Sequence, residues 1–201
     1  MKLEIICAHL LSYTLSIEIP LNTKKFIQAV DKGDQQARRQ LYERYRTPLF
    51  MVCLRYARDR SEAEDILQEG FLVIFKDIKQ YRGDGNLEGW LKRVMVNAAL
   101  RYLRKWKRSF VELQAEVEST ETIYQPSTVQ DDQPLSAQQL TKIIQELPIG
   151  YRTVFNMYVM DGYTHQEIAT YLNISPGTSK SQLSKARKLL KQKVEHYLLE
   201  L

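Results

Sequence analysis

From Thr178 to Lys188 the chain lines up hydroxyl, amide and cationic side chains without a single carboxylate: Thr178, Lys180, Ser181, Gln182, Ser184, Lys185, Arg187 and Lys188. Hydroxyls and amides can exchange hydrogen bonds with base edges, while ammonium and guanidinium groups neutralise phosphates. The wider stretch 175–193, "SPGTSKSQLSKARKLLKQK", holds six Lys or Arg and no Asp or Glu. A second group mixes cations with rings: Arg101, Arg104, Lys105, Lys107 and Arg108 with Tyr102 and Trp106, and Trp90 ahead of them. Cations that track a backbone beside rings that stack on bases suit single-stranded nucleic acid. Trp90, opening an amphipathic run, reads as core, whereas Trp106 between two lysines reads as exposed. A third group, Glu62, Glu64 and Asp65, could be imagined around a metal ion. Its spacing is already explained by the first turn of a helix, where negative charge is favoured, and no base, nucleophile or Gly-rich phosphate loop accompanies it. Neither an enzyme nor a cofactor is expected.

The elements that must position the first group read as a helix-turn-helix. In "THQEIATYLNISPGTSKSQLSKARKLL", Thr164 and Glu167 have the spacing of a capping box. Ile168, Ala169 and Leu172 form a short apolar face, with Ala169 small where a second helix must cross. Asn173 stands where the turn needs a left-handed residue, and Ile174 can fill the gap between the helices. Ser175 is placed to cap the next helix and Pro176 to open it. Leu183, Ala186 and Leu190 then face inward and leave the polar group outside. Such a motif lays its second helix in the major groove of duplex DNA, with short polar side chains leading and cations following. That is the order found here.

Helical periodicity prevails from Thr23 onward, and strand-like alternation is almost absent. "FIQAVDKGDQQARRQLYERYRTPLFMVCLRYARD" predicts two helices broken at Gly33-Asp34, with Asp34 capping the second and Pro48 kinking or crowding it. The second runs on through Tyr42, Tyr45, Leu49, Val52, Cys53 and Tyr56. In "SEAEDILQEGFLVIFKDI" a capping box is expected at Ser61 and Glu64, with Leu67, Phe71, Ile74, Phe75 and Ile78 as the buried stripe. "YRGDGNLEG" is a loop, after which "WLKRVMVNAALRYLRKWKR" resumes as a helix. Residues 110–134 lose the periodicity and gain Ser, Thr, Gln and Pro, the composition of a linker. Helices return in "SAQQLTKIIQELP" and "YRTVFNMYVMDG", the latter stopped by Gly162. The expected architecture is all-α, with helical domains at 23–109 and 135–198, an acidic linker at 110–134 and an N-terminal extension at 1–22.

Charge distribution sharpens this division. The chain of 201 residues carries +5, yet residues 110–137 hold six acidic and no basic residues, so the remainder stands at +11. A basic body interrupted by an acidic tether points to a polyanionic partner more clearly than the total does. Cys7 and Cys53 are far apart, which suits a reduced cytosolic compartment and makes Cys53 a small core residue. His9, His165 and His196 are scattered, and no metal site is expected. The apolar opening resembles a signal peptide, but Glu4 lies near its start and no small-x-small cleavage site follows. No apolar run reaches the roughly 20 residues of a membrane span.

Three segments together, "EAEDILQEGFLVIF", "YRGDGNLEGWLKRVMVNAALRYLRKWKR" and "LPIGYRTVFNMYVMDGYTHQEIATYLNISPGTSKSQLSKAR", resemble bacterial RNA polymerase sigma factors of the extracytoplasmic-function (ECF) group. The resemblance runs from about residue 24 to 195, with both domains in family order. It implies a cytoplasmic protein that directs core RNA polymerase to promoters. Glu64, Asp65, Gln68 and Glu69 would dock on the clamp coiled coil of the largest polymerase subunit. The loop from Arg82 to Glu88, with Arg82, Asp84, Asn86 and Leu87, would capture a base flipped from the non-template strand of the minus-ten element. Asn97, Arg101, Arg104, Lys105, Trp106 and Lys107 would hold the melted strand and the adjoining duplex. The second domain would read the minus-thirty-five element, and the linker would run near the RNA path. An anti-sigma factor, often membrane-bound in this family, is an implied partner. The chain departs from the family pattern at Arg101, where Asp is usual, and in "GTSKSQ", where G-T-V-K-S-R is usual. Ser179 thus replaces an inward apolar residue, and Gln182, replacing a cation, could favour adenine readout. A helix-turn-helix regulator acting without polymerase docking is the alternative, but it leaves Glu64–Glu69 and the Gly-rich loop unexplained.

Overall fold

The computed structural model describes residues 23–81, 86–106 and 137–199, and every regular element among them is helical. The expectations for the N-terminal extension, the acidic linker, Arg82, Asp84 and Lys107 lie outside the described residues, as do the side chains of Lys105 and Trp106. The described helices divide into two compact units, one before Lys107 and one after it.

In the first unit, helix α1 (Thr23–Asp31) is short and strongly amphipathic, burying Ile27 and Val30. It stops at Gly33, whose φ of 85° belongs to the left-handed region. The Gly33 N–H reaches the Val30 carbonyl at 3.1 Å and the Asp34 N–H the Ala29 carbonyl at 3.0 Å, the paired bonds of a Schellman stop. Asp34 then starts α2 (Gln35–Tyr56) by accepting from the Ala37 N–H at 2.7 Å. This helix passes through Pro48 and buries Leu41, Tyr45, Leu49, Val52, Cys53 and Tyr56. Tyr42 is not in that stripe; it is exposed, with its ring 4.7 Å from that of Phe71.

Helix α3 (Arg60–Asp77) corrects one expectation. Its cap is Asp59, which accepts from the Glu62 N–H at 2.9 Å, and not Ser61. The Glu62 carboxylate folds back on the Arg58 N–H and is buried, so its charge is spent on the helix start. Glu64, freed from capping, instead pairs on the surface with Arg60 at 2.9 Å. After a single tight turn at Ile78–Gln80, α4 (Leu87–Trp106) packs on both α2 and α3 through Leu87, Leu91, Met95 and Leu103. Where α3 meets α4, a Cβ on Gly70 would run into the thioether of Met95.

In the second unit, α5 (Ala137–Gln145) buries Leu140, Ile143 and Ile144. Helix α6 (Ile149–Phe155) follows Pro148 and widens at Asn156–Met160, where the Asp161 N–H bonds to the Asn156 carbonyl five residues back. Gly162, at φ 74°, turns the chain into α7 (His165–Leu172). The expected capping box is present: Glu167 N–H to Thr164 Oγ1 at 3.2 Å, and Thr164 N–H to Glu167 Oε2 at 2.8 Å. Asn173 takes φ 55° and ψ 47°, the left-handed turn residue its position demanded. Ser175 accepts from the Thr178 N–H at 2.9 Å and Pro176 opens α8 (Pro176–Leu199). Leu183, Ala186, Leu190 and Val194 form its inner face against α6 and α7, and Lys193 reaches Glu146 at 2.7 Å.

Candidate nucleic-acid interface

The outer face of α8 is built by subtraction. The apolar residues fix which side is buried, and Lys180, Ser181, Ser184, Lys185, Arg187 and Lys188 are exposed on the other. Thr178 is half-buried; its hydroxyl lies 3.0 Å from the capping hydroxyl of Ser175. Ser181 donates to the Thr178 carbonyl at 2.9 Å. The Lys185 ammonium stands 6.0 Å from the centre of the Tyr151 ring, within cation–π range. No side chain on this face from Thr178 to Lys188 bears a negative charge, so the cations remain available to phosphates.

Two polar positions on α8 are buried. Gln182, expected outside as a base reader, is buried and packs over Gly150 of α6. One helical turn separates it from Ser179, and the two share the inner flank of the helix. Ser179 is fully buried, as the family pattern required, and its hydroxyl shares a 2.9 Å hydrogen bond with His165 Nδ1. The His165 ring stacks on Tyr158, 4.4 Å between centres and 21° between planes. Burial first, then the nearby Lys180 and Arg187 charges, hold His165 below its ordinary value of 6.5. The neutral ring therefore ties the first helix of the motif to the second.

In the first unit, Asn97, Arg101 and Arg104 lie on α4, with both arginines exposed and Asn97 half-buried. The Asn97 Oδ1 has no protein hydrogen-bond partner. Asn97 lines a groove of about 250 Å³ together with Trp90, Arg93, Arg101, Asp77 and Gln80. Trp90 is half-buried there, its ring 6.1 Å from that of Tyr81, and so is less enclosed than a core residue. Arg93 is absent from the candidate set the sequence suggests, although its spacing of four from Asn97 and eight from Arg101 puts all three on one helical face. Asn86 is exposed but spends its side-chain oxygen on the Glu88 N–H at 3.0 Å, capping α4. Leu87, expected to face a flipped base, is 1% exposed and belongs to the core. It is the first residue of a helix whose apolar side is already turned inward.

On α3, Glu64, Asp65 and Gln68 are exposed and Glu69 is half-buried. Leu72 continues the same face at 71% exposure, a site that the buried-stripe reading passed over.

A cationic helix-turn-helix beside a separate helical unit bearing cations, rings and an acidic face is the make-up of a DNA-binding transcription protein. The profile for Sigma-70 region 2 matches residues 41–109, and that for Sigma-70, region 4 matches residues 137–190. The ECF RNA polymerase sigma factor SigW of Bacillus subtilis is 32% identical over 180 residues, covering 85% of this chain and 96% of its own. The RNA polymerase sigma-H factor of Pseudomonas aeruginosa is 25% identical, covering 88% and 96%. The ECF RNA polymerase sigma-E factor of Salmonella typhi is 29% identical, covering 87% and 95%. The chain belongs to the ECF sigma factors, and its function is to direct RNA polymerase to promoters.

Proposed function

We propose that the protein divides promoter recognition between its two units and acts by binding alone, without catalysis, in the cytoplasm. Residues 135–198 read the minus-thirty-five element through α8, with Lys180, Lys185, Arg187 and Lys188 on phosphates and Thr178, Ser181 and Ser184 near base edges. Residues 23–109 dock on the clamp coiled coil of the largest polymerase subunit through Glu64, Asp65, Gln68 and Glu69. The same unit holds the melted minus-ten strand on Asn97, Arg101 and Arg104, with Trp90 and Arg93 lining the groove beside them. Residues 110–134 connect the two. The single observation that carries the DNA reading is the carboxylate-free outer face of α8, set by a capping box, a left-handed Asn173 and a serine cap.

Melting needs no catalytic group. Unstacking a base costs a few kcal/mol, and contacts made only to the opened strand shift the closed-to-open equilibrium toward it. An anti-sigma factor covering the polymerase-facing surfaces is the regulatory partner that fits this family. The deciding experiment is gel filtration of the protein with bacterial core RNA polymerase, repeated with Asp65→Lys/Glu69→Lys. Co-elution that the double substitution abolishes is the expected result. Absence of co-elution, together with tight duplex binding by the protein alone, would leave a polymerase-independent regulator.

A further inference from the structure

Asp65 is an exposed carboxylate, yet it is not left to sample its rotamers freely. Tyr102 of α4 donates its phenolic hydrogen to Asp65 Oδ2 at 3.3 Å, across 37 positions of sequence. The Tyr102 side chain is only 8% exposed, so the ring is clamped by packing and its hydroxyl is a fixed donor. Burial first, then the carboxylates of Asp65, Glu62 and Glu69 along the same helix, push the phenol above its ordinary value. It therefore stays protonated, and a donor, throughout the physiological range. On α4 the residues beside it, Arg101 and Arg104, are exposed.

We infer that Tyr102 is a positioning residue for polymerase docking: by holding one oxygen of Asp65 it presents the other to a cation or N–H on the polymerase. The inference rests on the proposed docking role of α3. A free aspartate must surrender its side-chain freedom when it binds, and one already held surrenders less. Because the anchor is on the strand-holding helix, the docking face and the DNA-holding face also share one hydrogen bond.

The test is a double-mutant cycle on the full chain, reading affinity for core RNA polymerase by fluorescence titration. Tyr102→Phe keeps the ring and removes only the hydroxyl. It is expected to weaken binding about three- to tenfold, with the melting temperature and far-UV circular dichroism close to those of the parent. In an Asp65→Ala background the same substitution is expected to change nothing further. If Tyr102→Phe binds like the parent while Asp65→Ala binds weakly, the positioning role is wrong and the docking surface stands. Equal losses from Tyr102→Phe in both backgrounds would also overturn it, since the effect would not pass through Asp65. If Asp65→Ala itself binds like the parent, the docking surface falls and the inference with it. Should Tyr102→Phe melt early, the same cycle is read well below its melting temperature, where the variant is folded and the same outcomes decide.

Discussion

Gln182 holds its amide carbonyl inside the second unit with no protein donor facing it. Such a group costs about 1–3 kcal/mol relative to a partnered one. Gln182→Met, close in volume and free of that oxygen, is expected to keep or raise the melting temperature. It should leave promoter affinity within about twofold, because the side chain does not reach a base edge. A tenfold loss confined to one base pair of the minus-thirty-five element would show instead that the amide swings out on DNA. His165 makes a second prediction. Its folded value lies below 6.5, so the unfolded chain takes up a proton first as pH falls. The corresponding stability is present above 6.5 and lost as pH drops through the window just below it. Thermal melts of the parent should show that decline, and His165→Gln should flatten it.

Helix starts depend on which of several polar residues captures the first turn. The run Asp59-Arg60-Ser61-Glu62-Ala63-Glu64 contains two overlapping pairs with capping spacing, Asp59/Glu62 and Ser61/Glu64. Local pattern cannot separate them. The choice falls to tertiary burial, because Glu62 is enclosed and Glu64 is not. Asp59→Ala is therefore expected to cost about 1 kcal/mol, and Ser61→Ala less than about 0.5 kcal/mol, measured by urea unfolding. The reverse order would restore Ser61 as the cap. By contrast, Thr164/Glu167, Asn173 and Ser175-Pro176 were legible in advance, since each is a local device and Pro176, suited to the first helical position, singles out Ser175 over Asn173 as the cap. Leu87 was not legible: the Gly-rich stretch before it hides the fact that the helix, with its buried side, begins there. Gln182 was half legible. It lies three residues from inward Ser179 and four from inward Ala186, but one residue from exposed Ser181, so periodicity alone leaves it on the boundary.

At the scale of the whole molecule, positive charge is the currency of DNA binding, and salt measures it. Each phosphate neutralised contributes about 0.9 to the slope of log affinity against log salt. Lys185→Ala should lower that slope by about one such step and weaken all duplexes alike, whereas Ser184→Ala should act on sequence preference and leave the slope unchanged. Filter binding across a salt series distinguishes the two. The first unit also carries a reporter of its own integrity. Cys53 is wholly enclosed, and burial pushes its thiol up to about 12. A thiol so protonated and so covered cannot be alkylated while the surrounding helices hold together. In a Cys7→Ser background, the rate at which iodoacetamide labels Cys53 is therefore a clock for the opening of that helical core. Polymerase bound to the same unit should slow the clock in proportion to its occupancy.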